Sequence, residues 1–323
     1  MKKYLILLFV LVINSFQVQA SGTPSRYRWT GASSNNWTTA GNWMYVSGPA
    51  IPGGYPGAGG PAAVVPSVRH IAEFDASSSV NCNLGGSYYP SGAFYIGGIE
   101  VNGYNGKITQ LAGNRLFISD TYFPSGAYDD QYKAIFNFGT LGEFVGSTYT
   151  YSSGSEPYQD VTSMLIAVEL QIGGVGIFHA PRSLQVINHV TITNPAGFDA
   201  NGGVVRFYPR SAHTYLGISV GTPTNPYKIN LPGVTLYEAL FYAPTWDFQG
   251  SNFIVSNDFI TASGNKHLNN GTIHVKERVL INDADATAYA SGSIGAAACG
   301  GTATLILDGS IPQQMIKTTA ESA

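Results

Sequence analysis

Charged side chains are scarce in this chain of 323 residues. Asp, Glu, Lys and Arg make up 11% of it, against roughly 25% in an ordinary soluble domain. The 16 basic residues are outnumbered by 19 acidic ones and form no basic stripe, so no binding to nucleic acid is expected, because that requires phosphates to be neutralised. A hydrophobic fraction of 44% is enough to bury a core, which argues against disorder. The composition predicts a folded protein with a polar, largely neutral surface.

Long hydrophobic runs are missing after the first 20 residues, so no later segment is expected to span a membrane. Residues 1–20 begin with Lys2 and Lys3, continue with an apolar run from Leu5 to Ile13, and end in the small-residue sequence 18–20. This is the order of parts in a secretory signal peptide. We expect the mature chain to begin near Ser21 and to lie outside the cell.

Segments with a helical period of 3.6 residues are missing too, whereas short alternating runs cut by Asn, Gly and Pro are frequent. Such runs are typical of β-strands. The runs also recur, because Glu100, Glu169 and Glu238 lie 69 residues apart and several apolar series keep intervals of 68 or 69. The pattern predicts an all-β protein with three copies of a unit of about 69 residues.

Three all-β architectures could carry this repeat. An immunoglobulin-like sandwich takes about 100 residues, and propeller blades take roughly 40 to 50 and require at least four copies. A parallel β-solenoid takes roughly 20 to 25 residues per coil, so a unit of 69 residues divides into three coils of about 23. The repeat length therefore favours a solenoid.

Cysteine is almost absent, with only Cys82 and Cys299 in the chain. No second Cys or His lies at ligand spacing from either, so no zinc site is expected. In a solenoid the two cysteines would be separated by about nine coils, on the order of 45 Å. A disulfide requires Cα atoms within about 7 Å, so we expect no bond between them.

The two ends of the chain resemble a known class of protein. One end has "WTGASSNNWTTAGNW" (29–43), a Pro/Gly-rich loop (51–66) and "AEFDASSSVNCNL" (72–84), and the other has "GGTATLILDGSIPQQMI" (300–316). They resemble the W-x-G…W…NW start and the G-T-x-x-L-x-G…Q-x-I coils of bacterial secreted or cell-surface adhesin-like repeat proteins. The resemblance implies an all-β, single-stranded right-handed parallel β-helix (β-solenoid) with an N-terminal cap. The middle of the chain matches only as a pattern.

These features predict four segments. They are a signal peptide (1–20), a cap and Pro/Gly-rich loop leading into the first coils (21–90), a β-solenoid of three units (91–310), and a tail or truncated end (311–323). No anchor or sorting domain is recognisable after the last coil. We therefore expect the N-terminal fragment of a larger adhesin; a short tail after a modest cap is the alternative.

Three of the four tryptophans lie in the first of these motifs, at Trp29, Trp37 and Trp43. They are candidates for contact with a ligand, because exposed rings can stack on sugars. We favour a cap over that alternative, because the first coil of a solenoid needs its apolar end covered. A second aromatic segment (236–250) contains Tyr242 and Trp246, which we expect on a corner loop as further ligand contacts.

Polar side chains offer a weaker set of candidates. Asp283 and Asp285 begin a sequence similar to a calcium loop, but Gly and Glu are missing from the sixth and twelfth positions. A solvated turn is the alternative, and no other cofactor is expected. The Glu100, Glu169 and Glu238 series would place carboxylates about 14 Å apart, too far for a glycosidase pair. It therefore indicates a recurring solvent-facing or corner position.

Catalysis on a parallel β-helix would need acids and bases on adjacent coils. Asp247 lies about one coil from His274 and Lys276, and Asp199 lies near His179 and His189. None of them belongs to a recognisable catalytic signature. We therefore expect a non-catalytic structural or adhesive protein that contacts extracellular glycans or matrix, with a polysaccharide lyase or glycoside hydrolase as the alternative.

Overall fold

The computed structural model describes residues 25–48, 70–85, 93–118, 133–148, 163–207, 214–215, 218–219, 224–242, 245–262, 266–282 and 299–318. The predicted signal peptide and the calcium candidates Asp283 and Asp285 lie outside these residues. Strands dominate the described part of the chain, so the all-β prediction is confirmed. No helix found there has the length and apolar character needed to cross a bilayer.

In chain order, the described residues form β1 (Ser25–Trp29), a 3-10 helix (Ala40–Asn42), β2 (Trp43–Ser47), β3 (His70–Asp75), β4 (Cys82–Leu84), β5 (Ala93–Ile96), β6 (Gly98–Asn102), β7 (Lys107–Gln110), β8 (Arg115–Ile118), β9 (Lys133–Phe138), β10 (Glu143–Val145), β11 (Met164–Gly174), β12 (Ile177–His179), β13 (Ser183–Ile192), a second 3-10 helix (Pro195–Gly197), β14 (Phe198–Asp199), β15 (Val204–Phe207), β16 (Thr214–Tyr215), β17 (Ile218–Ser219), β18 (Tyr227–Asn230), β19 (Thr235–Leu236), β20 (Glu238–Tyr242), β21 (Thr245–Asp247), β22 (Asn252–Val255), β23 (Asp258–Ala262), β24 (Lys266–Asn269), β25 (Thr272–Val275), β26 (Arg278–Asn282), β27 (Cys299–Gly300), β28 (Thr304–Leu307) and β29 (Gln314–Thr318).

Most of these strands pair in parallel and form three ladders. The first ladder contains β3, β6, β9, the second halves of β11 and β13, β18, β21, β24 and β27. The second contains β4, β7, β10, β12 and β14, and then β19, β22, β25 and β28. The third contains β5, β8, the first halves of β11 and β13, β15, β20, β23, β26 and β29.

The chain visits the three ladders in a fixed order, one strand of each in turn. We call each such set of three strands a rung. The first rung is β3, β4 and β5, the sixth is β18, β19 and β20, and the ninth is β27, β28 and β29. Each strand lies beside the corresponding strands of the rungs before and after it, so the ladders grow by one strand per rung.

Alternation along the strands builds one continuous core. Successive side chains of a strand point to opposite faces, and the inward ones of all three ladders belong to a single buried cluster. One register position of the first ladder illustrates this, because its residues are all at most 3% exposed: Phe74, Val101, Phe136 and Ile172. The core therefore runs from the first rung to the eighth, whereas Leu305, Leu307 and Met315 of the ninth rung are 38 to 60% exposed.

The outer faces of the ladders differ in polarity. The outer face of the third ladder carries two buried apolar clusters, one of Phe117, Ile166, Val168 and Ile187 and one of Val204, Leu240 and Ile260. The buried polar residues Gln185 and Arg206 lie between them in the strand register. The outer faces of the first and second ladders carry mostly polar side chains, among them Gln171, Thr191, Asp247 and His179. Binding groups are therefore to be sought on the first two ladders.

Rung length is not constant, and this corrects the interpretation of the glutamate series. Residues paired between neighbouring rungs are between 19 and 49 positions apart, from Met164 with Ser183 to Arg115 with Met164. Glu100 shares its register with Gln171 rather than with Glu169, and Glu238 lies in the third ladder beside Val204. The three glutamates do not occupy equivalent positions, because a constant interval in sequence does not return to the same register.

Cys82 is a free thiol, fully buried in the second ladder. Burial raises the pKa of its thiol well above the usual value. Cys299 lies in the first ladder, in the ninth rung, while Cys82 lies in the first rung. The expectation that the two cysteines do not form a disulfide is therefore met.

Candidate functional site

The three N-terminal tryptophans pack against one another at the start of the stack. β1 pairs in parallel with β3, and β2 pairs in antiparallel with β1. The rings of Trp29 and Trp37 lie 5.1 and 4.5 Å from that of Trp43, and all three rings lie within 6.0 Å of Phe74. Their exposure is at most 2%. This is the packing that a cap requires, and it corrects the alternative of a sugar platform, because buried rings offer no face to a ligand.

The second aromatic segment is also corrected in part. Trp246 is fully buried and packs between Tyr227, Phe207 and Phe241. It is the middle residue of β21, so alternation turns it inward and turns its neighbours outward. Tyr242 ends β20, and its side chain lies outside the described residues. Trp246 is therefore a core residue and not a ligand contact.

A polar cleft lies on the outer face of the first ladder beside Trp246. Its volume is about 500 Å³, and its wall is formed by Pro226 together with Thr245, Asp247, His267, Asn269, Asn270 and Thr302. The wall extends from the sixth rung to the ninth. Within the described residues this concave surface gathers polar side chains from several rungs, and it is our candidate functional site.

Strand register and turn geometry explain why these side chains meet. Thr245 pairs with His267, and Asp247 pairs with Asn269, so residues far apart in sequence are neighbours across the rungs. After each strand the chain turns sharply through a residue with positive φ, 51° at Gln249 and 55° at Asn270. Asn tolerates this left-handed conformation better than most residues. Sequence position alone would not have placed these groups together.

Hydrogen bonds fix the bottom of the cleft. Oδ1 of Asp247 accepts from the backbone N–H of Gln249 at 2.9 Å and from Nδ2 of Asn270 at 3.2 Å. The backbone N–H of Asn270 donates to Oγ1 of Thr302 at 3.1 Å, and that hydroxyl donates to Oδ1 of Asn270 at 3.3 Å. The backbone N–H of Thr302 donates to Oδ1 of Asn269 at 3.3 Å. Three rungs are thus joined by a chain of polar contacts.

The chemistry of the cleft suits non-covalent binding. Among the described residues that form its wall, Asp247 is the only carboxylate and there is no Lys or Arg. No group of three or more His, Cys, Asp or Glu side chains in the described ranges could hold a metal ion. What remains is a set of fixed hydrogen-bond donors and acceptors, with His267 exposed at the edge.

The second ladder carries a separate polar row of three residues. His179 Nδ1 lies 2.7 Å from Asp199 Oδ2, and His179 Nε2 lies 3.9 Å from Glu143 Oε2. Although partial burial opposes ionisation of Asp199, hydrogen bonds from His179 and from the backbone of Asn201 lower the pKa of its carboxyl. The expected proximity of Asp199 and His179 is confirmed, since they are partners on neighbouring strands.

The other contact expected from coil spacing, that of Asp247 with His274 and Lys276, does not form. His274 lies in the second ladder, and its Nδ1 is 2.9 Å from Asp308 Oδ2, while Lys276 Nζ is 3.0 Å from Asp308 Oδ1. These hydrogen bonds lower the pKa of the Asp308 carboxyl. Asp247 lies in the first ladder, so its interval of 27 residues from His274 joins different faces of the stack.

A third ionic group lies at the edge of the third ladder. Arg278 donates to both oxygens of the buried Asp258, at 2.8 and 2.6 Å, and Asn257 Nδ2 donates to Glu238 Oε1 at 2.9 Å. Burial raises the pKa of Glu238, and Asp258 acts in the same direction against the hydrogen bond from Asn257. Because Asp258 is 2% exposed, this group is better placed to stabilise the fold than to meet a substrate.

Comparison with known proteins gives no further assignment. No protein-family model matches the chain, and no curated protein or solved structure matches it either.

Proposed function

We propose that the chain is a right-handed parallel β-solenoid that acts outside a bacterial cell as a structural and adhesive module. Its outer surface contacts glycans or matrix and performs no chemistry on them. Right-handedness is supported by the strong preference of parallel strand connections for that hand. Location outside the cell is supported by the signal-peptide pattern of residues 1–20.

The observation that carries the proposal is the repetition of polar side chains in register on the first ladder. Gln171, Thr191 and Asn230 share one outward row, and Asp247 and Asn269 share another. Rungs lie about 4.8 Å apart, so such rows present similar groups at regular intervals along one direction. A polymer with a repeating structure can contact several of them at once, and its affinity then rises by multivalency.

A polysaccharide-degrading enzyme is the second candidate, and one observation favours it. Glu143, His179 and Asp199 bring two carboxylates and an imidazole together on the outer face of the second ladder. Groups of these types can transfer protons when a substrate lies within hydrogen-bond reach. The row is part of an exposed face, whereas the cleft at Asp247 lies on a different ladder.

A single experiment distinguishes the two candidates. The chain from Ser21 to Ala323 is mixed with insoluble and soluble polysaccharides, and retention and release of reducing or unsaturated ends are measured in the same tubes. The adhesive proposal predicts retention without product. Product that disappears in a Glu143→Gln or His179→Ala variant would establish the enzyme, and absence of both retention and product would remove glycan contact from the proposal.

A further inference from the structure

We propose that the cleft beside Asp247 is a subsite for an uncharged sugar chain, held through neighbouring hydroxyl groups and lying along the direction in which the rungs stack. The inference rests on the proposed adhesive function and adds to it the class of ligand and the residues that hold it. Asp247, Asn269 and His267 are the contact residues, and Asn270 and Thr302 position them.

Unused hydrogen-bonding groups converge on the cleft. Both hydrogen bonds to the Asp247 carboxylate are made to Oδ1, so within the described residues Oδ2 has no partner. Asn269 accepts through Oδ1 from Thr302, which leaves its Nδ2 as a donor. His267 adds a ring that can donate or accept. Hydroxyl groups donate and accept together, so a pair of neighbouring sugar hydroxyls matches this mixture of groups.

Asp247 and Asn269 are held in place before any ligand arrives. Asp247 and Asn269 are neighbours on paired strands, and the turns that follow them are bound to each other through Asn270 and Thr302. Thr245, beside Asp247, is 1% exposed and forms part of the wall. A preformed site loses less conformational freedom on binding, so a small number of hydrogen bonds can give measurable affinity.

Charge selects against an acidic ligand. The described residues of the wall include one carboxylate and no Lys or Arg, so a uronate, sulfate or phosphate group would meet the charge of Asp247 without a cation in the wall itself. Lys228 pairs with Asp247 in the strand register, but it lies outside the wall of the cleft. A neutral chain bears hydroxyl groups only and incurs no such repulsion.

The dimensions of the cleft fit a short stretch of polymer. Its wall reaches from Pro226, just before the sixth rung, to Thr302 in the ninth. Three rung spacings correspond to roughly 14 Å. Its volume of about 500 Å³ lies within the usual range of sites for small ligands. Pro226 supplies an apolar ring surface for the C–H face of a sugar.

Binding of defined oligosaccharides to residues 21–323 tests the inference. The probes are neutral hexasaccharides of glucose, mannose and galactose, with a galacturonic acid hexamer for comparison, and affinity is measured by titration calorimetry. We expect at least one neutral probe to bind more tightly than the acidic one. Asp247→Ala and His267→Ala should each weaken binding about tenfold or more, as the loss of a charged or directional hydrogen bond does.

Asp75→Asn is the matched control. Asp75 accepts a backbone N–H two residues ahead at 2.9 Å, as Asp247 does, but it lies in the first rung, whereas the cleft begins at the sixth. Its substitution should leave binding unchanged. Stronger binding of the acidic hexamer, or equal binding by the parent and the Asp247 and His267 variants, would overturn the inference and leave the adhesive function standing. Failure of the parent to bind any polysaccharide or oligosaccharide would remove both.

Discussion

Buried ionisable groups impose the sharpest constraints at the scale of single residues. His70 begins β3, is fully buried, and lies with its ring centroid 4.9 Å from that of Tyr27. Burial lowers the pKa of its imidazole from 6.5 to about 4. Asp258 is buried as well, but its carboxylate is paired with Arg278 through two hydrogen bonds. The contribution of His70 to stability therefore depends on pH, whereas that of Asp258 depends on the presence of Arg278.

His70 should make the protein less stable in mild acid. Below pH 6.5 the unfolded chain binds a proton at this residue, whereas the folded chain does so only near pH 4. The stability that the neutral imidazole contributes is therefore fully present above pH 6.5, and it is lost as the pH falls from 6.5 to about 4. We expect the parent to lose about 2 to 3 kcal/mol more than a His70→Gln variant between pH 7.5 and 4.5. Urea unfolding at both pH values measures this, and equal losses in the two proteins would contradict it.

Arg278→Ala should destabilise the fold because it leaves the Asp258 carboxylate buried without its cation. The expected cost is about 2 to 4 kcal/mol in the free energy of unfolding. Adding Asp258→Asn to the same chain should restore part of that loss, since the buried charge is then removed. Lys276→Ala is the control, because its pair with Asp308 is exposed and such pairs contribute at most about 1 kcal/mol. Equal effects of Arg278→Ala and Lys276→Ala would refute the argument.

At the scale of elements, the strands of the second ladder are joined by stacked aromatic rings. The rings of Phe144 and Phe178 are 4.7 Å apart and tilted by 9°, and those of Phe178 and Phe198 are 6.1 Å apart and also tilted by 9°. Each ring belongs to a different rung and points into the core. The stacked rings therefore join successive rungs through side chains, in addition to the hydrogen bonds of the backbone.

Phe178→Ala should cost about 3 to 5 kcal/mol, because it removes the central ring of this stack and leaves a cavity between two rungs. Phe178→Leu should cost less, since it retains most of the apolar volume. The neighbouring Ile177 points outward and is 41% exposed, so Ile177→Ala should change stability by no more than about 0.5 kcal/mol. Denaturant midpoints of the three variants test the inward and outward assignment of β12.

The strands and the cap could be predicted from the sequence, but the register of the rungs could not. Period-2 runs show which side chains of one strand share a face, but they do not show which strands pair. The partner of a strand depends on rung length, which varies, so coil spacing predicts the contact of His179 with Asp199, 20 positions apart, but not that of His274 with Asp308, 34 positions apart. Aromatic residues near a Pro predict a corner for Trp246, which the structure places in the core. The alternation within β21 predicts the correct orientation, because it turns its middle residue, Trp246, inward.

At the scale of the whole molecule, the stack has one end covered by β1, β2 and the tryptophans. A molecule in which each rung contacts mainly its neighbours is close to one-dimensional, so local stability can differ along its length. Trp37 lies at the covered end, and Trp246 lies within the stack. Both are fully buried, which makes them a matched pair.

Trp37→Ala and Trp246→Ala should each lower local stability by about 3 to 5 kcal/mol. The two substitutions should, however, destabilise different parts of the stack. Trp37→Ala is expected to increase amide hydrogen exchange in β1 to β4 and to leave β22 to β26 protected. Trp246→Ala should increase exchange in the middle rungs on both sides of β21. Identical exchange patterns in the two variants would show that the stack unfolds as a single cooperative unit.

The unequal length of the rungs also determines how much height the described residues gain for their number. Height along the stack depends on the number of rungs, and nine rungs at about 4.8 Å give a height of roughly 40 Å. A chain of the same length wound throughout with the 20-residue step seen between Phe259 and Val279 would be considerably taller. Residues added to a rung give no further height. Under the proposed adhesive function, the described rungs therefore offer their rows of outward groups to a ligand over roughly 40 Å.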